Sequence, residues 1–174
     1  MANDPNWRLP EVPTFDLTSP DFADGDTLPH WARSSQAGGE DRSPTLHWEG
    51  APSGTRSFAL SVYDPDAPTG SGWWHWAVCN IPATITSLQQ DAGNPDADLL
   101  PPGAITVPNE LRLERYHGAA PPPGNGEHRY FFTVSALDVE RLEVPAGSTP
   151  AILGFMIGEH VVARAQLVGV TESP

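Results

Sequence analysis

The chain has 174 residues, enough for one domain with a sizeable core, and it carries 9 Lys plus Arg against 22 Asp plus Glu, a net charge of −13. That balance excludes a protein that neutralises nucleic-acid phosphates or is held by charge on an anionic membrane. A single cysteine, Cys79, excludes an intrachain disulfide framework and a multi-cysteine zinc site, while 16 Gly and 20 Pro predict many turns.

Residues 1–174 read as one domain, with 1–14 as an extended N-terminal segment. Met1 to Pro10 contain no apolar signal core, and no run of about 18 apolar residues follows. No integral membrane segment is therefore expected, and the expected compartment is cytoplasmic. The first strand-like piece is Phe15 to Leu17, and Ser34 to Ser43 has loop composition. Thr45 to Trp48 alternates, with Leu46 and Trp48 on one face. Ser57 to Tyr63 sets Phe58, Leu60 and Val62 against Ala59, Ser61 and Tyr63. Trp76 to Ile81 is a short apolar run, and Ile105 to Val107 is a fragment fenced by prolines. Arg129 to Leu137 is the longest strand, with Tyr130, Phe132, Val134 and Ala136 on one side. Period-2 patterning in aromatic and β-branched residues predicts antiparallel β structure, and the spacing suggests a sandwich. One helix is expected over Ala151 to Arg164, with Pro150 in its first turn and Thr149 or Ser148 as N-cap. Gln166 to Val170 then returns as a strand.

Two segments carry the chemistry, Tyr63 to Trp76 (YDPDAPTGSGWWHW) and Tyr116 to Tyr130 (YHGAAPPPGNGEHRY). Each is a Pro- and Gly-rich loop abutting a strand, where binding groups concentrate. Asp64 and Asp66 leave one strand, and His75 begins the next. His128 and Tyr130 flank Arg129 and share a face, which sends Arg129 to the other. Asp-Pro-Asp is also ordinary turn chemistry, and a histidine at a strand start is commonly structural. His30, His47, His117 and His160 read as structural or surface groups, with His117 set apart by its place beside Gly118. Ser71 lacks the GxSxG context of an activated nucleophile.

The combination DPDAP (Asp64–Pro68), WWHW (Trp73–Trp76) and PPPGNGEHRY (Pro121–Tyr130) resembles the phosphatidylethanolamine-binding protein family. SPTLHW (Ser43–Trp48), ILGF (Ile152–Phe155) and HVVARAQLVG (His160–Gly169) look like its bacterial branch, and the likeness runs from about Phe15 to Val170. The resemblance implies an all-β-dominated Greek-key sandwich with short peripheral helices. It implies a metal-free, cofactor-free pocket for a small anion or phospholipid head group, built from Asp64, His75, His128 and Tyr130. Asp66, Ala67, Pro68, Trp73, Gly118, Pro121 and Pro122 would line or shape it. The family's Ala-Pro bond is often cis, which carries to Ala67–Pro68. Where the family has Gly-Pro, this chain has Gly118 followed by Ala119 and Ala120, so the rim departs from the pattern.

Protonated His75 and His128 and the Tyr130 hydroxyl would supply donors to an anion, with Asp64 favouring imidazolium. Trp73, Trp74 and Trp76 would shelter the site. The leading expectation is a binding protein, extended by the family's kinase and protease inhibitors to an unspecified partner protein, with a homodimer preferred over a monomer. The alternative is a cofactor-independent enzyme using Asp64, His75, His128 and Tyr130 as general acid and base on a small carbonyl-containing substrate. A zinc site from Asp64, His75 and His128 is a third arrangement the residue types allow.

Overall fold

Alternating strands that bury one face must find a second layer, and here two antiparallel sheets supply it. A computed structural model describes residues 4–173. Strands β1 (Asp16–Thr18), β2 (Leu46–Glu49) and β5 (Ser87–Leu88) form a three-stranded sheet in the order β1-β2-β5. Strands β3 (Ser57–Asp64), β4 (Trp73–Pro82), β6 (Ile105–Thr106), β7 (Glu127–Leu137) and β8 (Val161–Glu172) form a larger sheet in the order β6-β4-β3-β7-β8. β7 returns beside β3 after the long connection that follows β4, a Greek-key type of crossover. The 3₁₀ turns at His30–Ala32, Ser35–Ala37 and Pro95–Ala97 lie in the connections.

The main core sits between the sheets. Leu46 and Trp48 of β2 meet Phe58, Leu60 and Val62 of β3 and Phe132 and Val134 of β7, all at most 2 % exposed. A second, smaller cluster covers part of the other face of the large sheet, where Ala59, Ala77, Cys79 and Leu137 pack under Leu142 and Leu153. β8 would present a free edge, which the N-terminal segment covers. Pro13 and Asp26 accept main-chain hydrogen bonds from Arg164 and Val170, both at 2.9 Å.

The helix departs from expectation. α1 runs only Pro150–Ile157, capped by the Thr149 side chain, and Val161–Glu172 is strand. β7 decides this, because it pairs with β8 from Glu127↔Glu172 to Leu137↔Val161. Backbone hydrogen bonds to an existing strand override a helical apolar spacing. On α1, Ile152 is 45 % and Phe155 87 % exposed, and Leu153 is the residue that enters the core. No helix among the described residues is long and apolar enough to cross a membrane.

Candidate functional site

β3 delivers Asp64 at its end, and the chain turns through 65–72 before β4 begins opposite it at Trp73. The Asp64 carboxylate shapes that turn. Its Oδ1 accepts from the backbone N–H of Asp66 (2.8 Å) and of Ala67 (3.1 Å), an Asx arrangement. Its Oδ2 accepts from His128 Nδ1–H at 2.7 Å. Burial pushes the Asp64 pKa up, and the hydrogen bond from His128 offsets part of that. No cis peptide bond occurs among the described residues, so Ala67–Pro68 is trans, against the family expectation.

β4 carries a bulge at His75. Val62 pairs with Trp76 and Tyr63 with Trp74, so one step on β3 faces two on β4. The extra residue breaks the alternation and re-aims the side chain, as bulges beside functional sites commonly do. His75 and Trp76 therefore lie on the same side, although they are consecutive. Trp74 instead reaches the opposite face, where it packs on Tyr63 at 4.3 Å between ring centroids. The three tryptophans do not shelter the site together, contrary to expectation. Trp73 lines it, Trp74 is across the sheet, and Trp76 is core with 0 % exposure.

Asp64, Ala67, Pro68, Trp73, His75, Pro122, His128 and Tyr130 share the wall of one cavity of about 300 Å³. His75 and Tyr130 rings meet edge to face at 5.0 Å. Asp66 and Pro121 do not line the cavity, nor does Gly118. Asp66 turns away to the Arg129 fork, accepting from Nε at 2.8 Å and from a terminal nitrogen at 2.7 Å, on the opposite face as strand alternation requires. Gly118 shapes the rim by close approach, since a Cβ there would overlap the backbone of Arg33 and Ser34. Gly118→Ala should cost about 1–3 kcal/mol through overpacking; a melting temperature equal to wild type would show that the two segments can separate freely.

His75 is not the cation expected from its motif. Its Nδ1 faces the His117 carbonyl at 2.7 Å, and a carbonyl only accepts, so Nδ1 carries the proton. Complete burial pushes its pKa down to about 3, leaving the ring neutral with a lone pair on Nε2. That Nε2 and the Tyr130 hydroxyl are buried without a hydrogen-bond partner among the described residues. Buried polar atoms left alone are costly, and these two belong to side chains on the same cavity wall. The second ring nitrogen of His128 faces the Asn125 side-chain oxygen at 2.7 Å.

Thr69, Gln36, Leu111, Ala120 and His117 complete the lining. His117 stacks parallel to His75 at 5.8 Å and faces Asp41 at 3.5 Å. Burial lowers its pKa and Asp41 counters only part of that. Asn125 was legible in principle, three residues before His128; Gln36 and Leu111 come from distant connections without any sequence signal. Ala119 and Ala120, the departure from the family pattern, split their roles. Ala119 is buried and its carbonyl accepts from Ser34 N at 2.9 Å, while Ala120 lines the cavity. No group of three metal-ligating side chains converges among the described residues.

A family profile described as phosphatidylethanolamine-binding protein matches residues 18–172. The chain belongs to the phosphatidylethanolamine-binding protein family. It is 43% identical over 164 residues to the UPF0098 protein YbcL of Escherichia coli, covering 93% of this chain and 90% of that protein. UPF0098 protein YbhB of the same organism is 44% identical over 156 residues, covering 88% and 98%. The crystal structure of YbcL, described as a member of the mammalian family, superposes with a TM-score of 0.88 over 92% of this chain and 99% of that one, at 44% identity. A carboxypeptidase Y inhibitor crystallised with its cognate proteinase shares the fold alone, with a TM-score of 0.56 at 20% identity over 93% of this chain and 85% of that one.

Proposed function

We propose that the cavity of this phosphatidylethanolamine-binding family member binds a small anion or phospholipid head group that brings its own hydrogen-bond donor. The observation that carries the reading is the pair of buried, unpartnered atoms, His75 Nε2 and the Tyr130 hydroxyl, on one wall. A neutral imidazole nitrogen with a lone pair needs a donor, which a P–OH group or an ethanolamine ammonium supplies. Tyr130 can donate to a phosphoryl oxygen. The volume of about 300 Å³ suits a head group and not acyl chains. In a chain of net charge −13 a monoanion is preferred over a dianion.

Calorimetric titration tests this. Phosphoethanolamine is expected to bind, and dimethyl phosphate, a monoanion without a donor, at least about tenfold more weakly, because a charge-assisted hydrogen bond contributes roughly 1.5–3 kcal/mol. Methyl phosphate should bind more tightly at pH 5.5 than at pH 8. Its second ionisation near pH 6 removes the P–OH, while His75 stays neutral across that range. Dimethyl phosphate has no such ionisation and should be indifferent to pH. Equal affinity for methyl and dimethyl phosphate would defeat the reading, and the same pH dependence in both would transfer it to a titrating protein histidine.

The acid–base alternative has less support. A histidine with its pKa pushed down to about 3 is poorly matched to proton transfer near neutral pH. The Thr69 hydroxyl, the cavity's one Ser or Thr side chain, is committed to the Gly72 carbonyl. A partner protein belongs to the proposal through the family's inhibitors, and the carboxypeptidase Y inhibitor supports it no further than the shared fold.

A further inference from the structure

The opposite face of the large sheet carries a second concavity of about 360 Å³. Phe131 and Thr133 of β7 lie in its floor, α1 forms one wall, and Leu9 and Pro10 form the other. It shares no lining residue with the His75–Tyr130 cavity. Its surface is mainly apolar, with one charged side chain, Arg164, which stands opposite Ser135 in the β7–β8 register. The Arg164 backbone N–H is bonded to Pro13, but its guanidinium has no ion pair and no hydrogen bond among the described residues. It is half-buried, and burial lowers its pKa with no opposing partner. A partly desolvated cation needs compensation, and an apolar groove around it cannot give that.

We propose that this groove binds a medium-chain fatty acid, with the alkyl chain along α1 and the carboxylate on Arg164. The guanidinium fork matches a carboxylate in two parallel hydrogen bonds. The net charge of −13 disfavours simple anions at the surface, so the ligand must add apolar burial to the ion pair, which an alkyl chain does. A recessed charge also suits a slender chain better than a flat protein surface. Ile152 and Phe155, 45 % and 87 % exposed on α1, extend apolar surface from the same helix.

Titration calorimetry with octanoate and 1-octanol provides the test. Octanoate should saturate the wild type, and Arg164→Gln should weaken it at least tenfold while leaving 1-octanol unchanged. Gly154 of α1 lines the groove, and a Cβ there meets nothing within 4 Å. Gly154→Leu has room for its Cβ and carries its larger side chain at the groove wall, favours the helix, and should abolish both ligands with an unchanged or raised melting temperature. A wild type that ignores octanoate, an Arg164→Gln protein that binds it normally, or a Gly154→Leu protein that still binds would each overturn the proposal. A dimer that Gly154→Leu dissociates, with no octanoate saturation, would overturn it in favour of a second copy of the chain. Because the sites share no residue, phosphoethanolamine binding can fail or hold without bearing on this result.

Discussion

Acidification from pH 7 to pH 4.5 is expected to destabilise the fold by roughly 2–3 kcal/mol through His75 alone. In the unfolded chain this histidine titrates near 6.5, and in the fold burial pushes it down to about 3. The folded pKa is the depressed one, so below 6.5 the unfolded state takes up a proton that the folded state refuses. Stability is full above about pH 6.5 and falls progressively toward pH 3. His117, also lowered by burial, adds to the same slope. Asp64, raised by burial, opposes it, because protonating Asp64 is easier in the fold. The His75→Gln variant isolates the effect. Its amide can still donate toward the His117 carbonyl but cannot titrate, while His117 and Asp64 persist. Urea unfolding at both pH values should show a smaller loss for the variant by roughly 2–3 kcal/mol. Equal losses in the two proteins would mean that water reaches Nε2 and that His75 is not held neutral by burial.

Asp64→Ala is expected to cost about 3–5 kcal/mol, the usual loss when one partner of a buried pair is removed. Asp64 is 3 % and His128 1 % exposed, and they meet at 2.7 Å. The same substitution strips the acceptor from the backbone N–H groups of Asp66 and Ala67, which hold the turn. Asp64→Asn should be milder, because its side-chain oxygen can keep both turn hydrogen bonds, while its amide nitrogen, in place of Oδ2, can only donate and so requires His128 to present a deprotonated Nδ1. The pair is not a large net source of stability, since burial raises the Asp64 pKa despite His128. The cost lies in breaking it. Equilibrium unfolding in urea gives both values, and an alanine variant within about 1 kcal/mol of wild type would show that His128 is resolvated through the cavity.

Much of this protein was legible without coordinates. Period-2 alternation located β2, β3 and β7 to within two residues at each end, because side-chain alternation is a local consequence of strand geometry. The two loop motifs marked Asp64, His75, His128 and Tyr130, because proline, glycine and acid residues at strand ends are themselves the signal. Composition argues against a nucleic-acid partner, since charge sums need no structure. The extent of α1 was not legible, because Val162 and Ala163 fit a helical spacing equally well until pairing with β7 makes this segment a strand.

The electrostatic character of the site was decided only by tertiary contacts. The motif presents His75 as a candidate cation, and nothing in the chain nearby says otherwise. Its neutrality follows from the bulge against β3, which turns the ring inward, and from the His117 carbonyl, 42 residues away, which takes its proton-bearing nitrogen. Arg164 is the converse case. At the end of the expected helix nothing in the sequence marks it out, and only its place on β8 and the packing of α1 and residues 5–10 around it make it a recessed charge in an apolar groove. Residue type and local spacing determine which groups a chain can offer. Protonation state and partner depend on solvent exclusion and on atoms brought from distant segments, and those exist only once the sheets have closed.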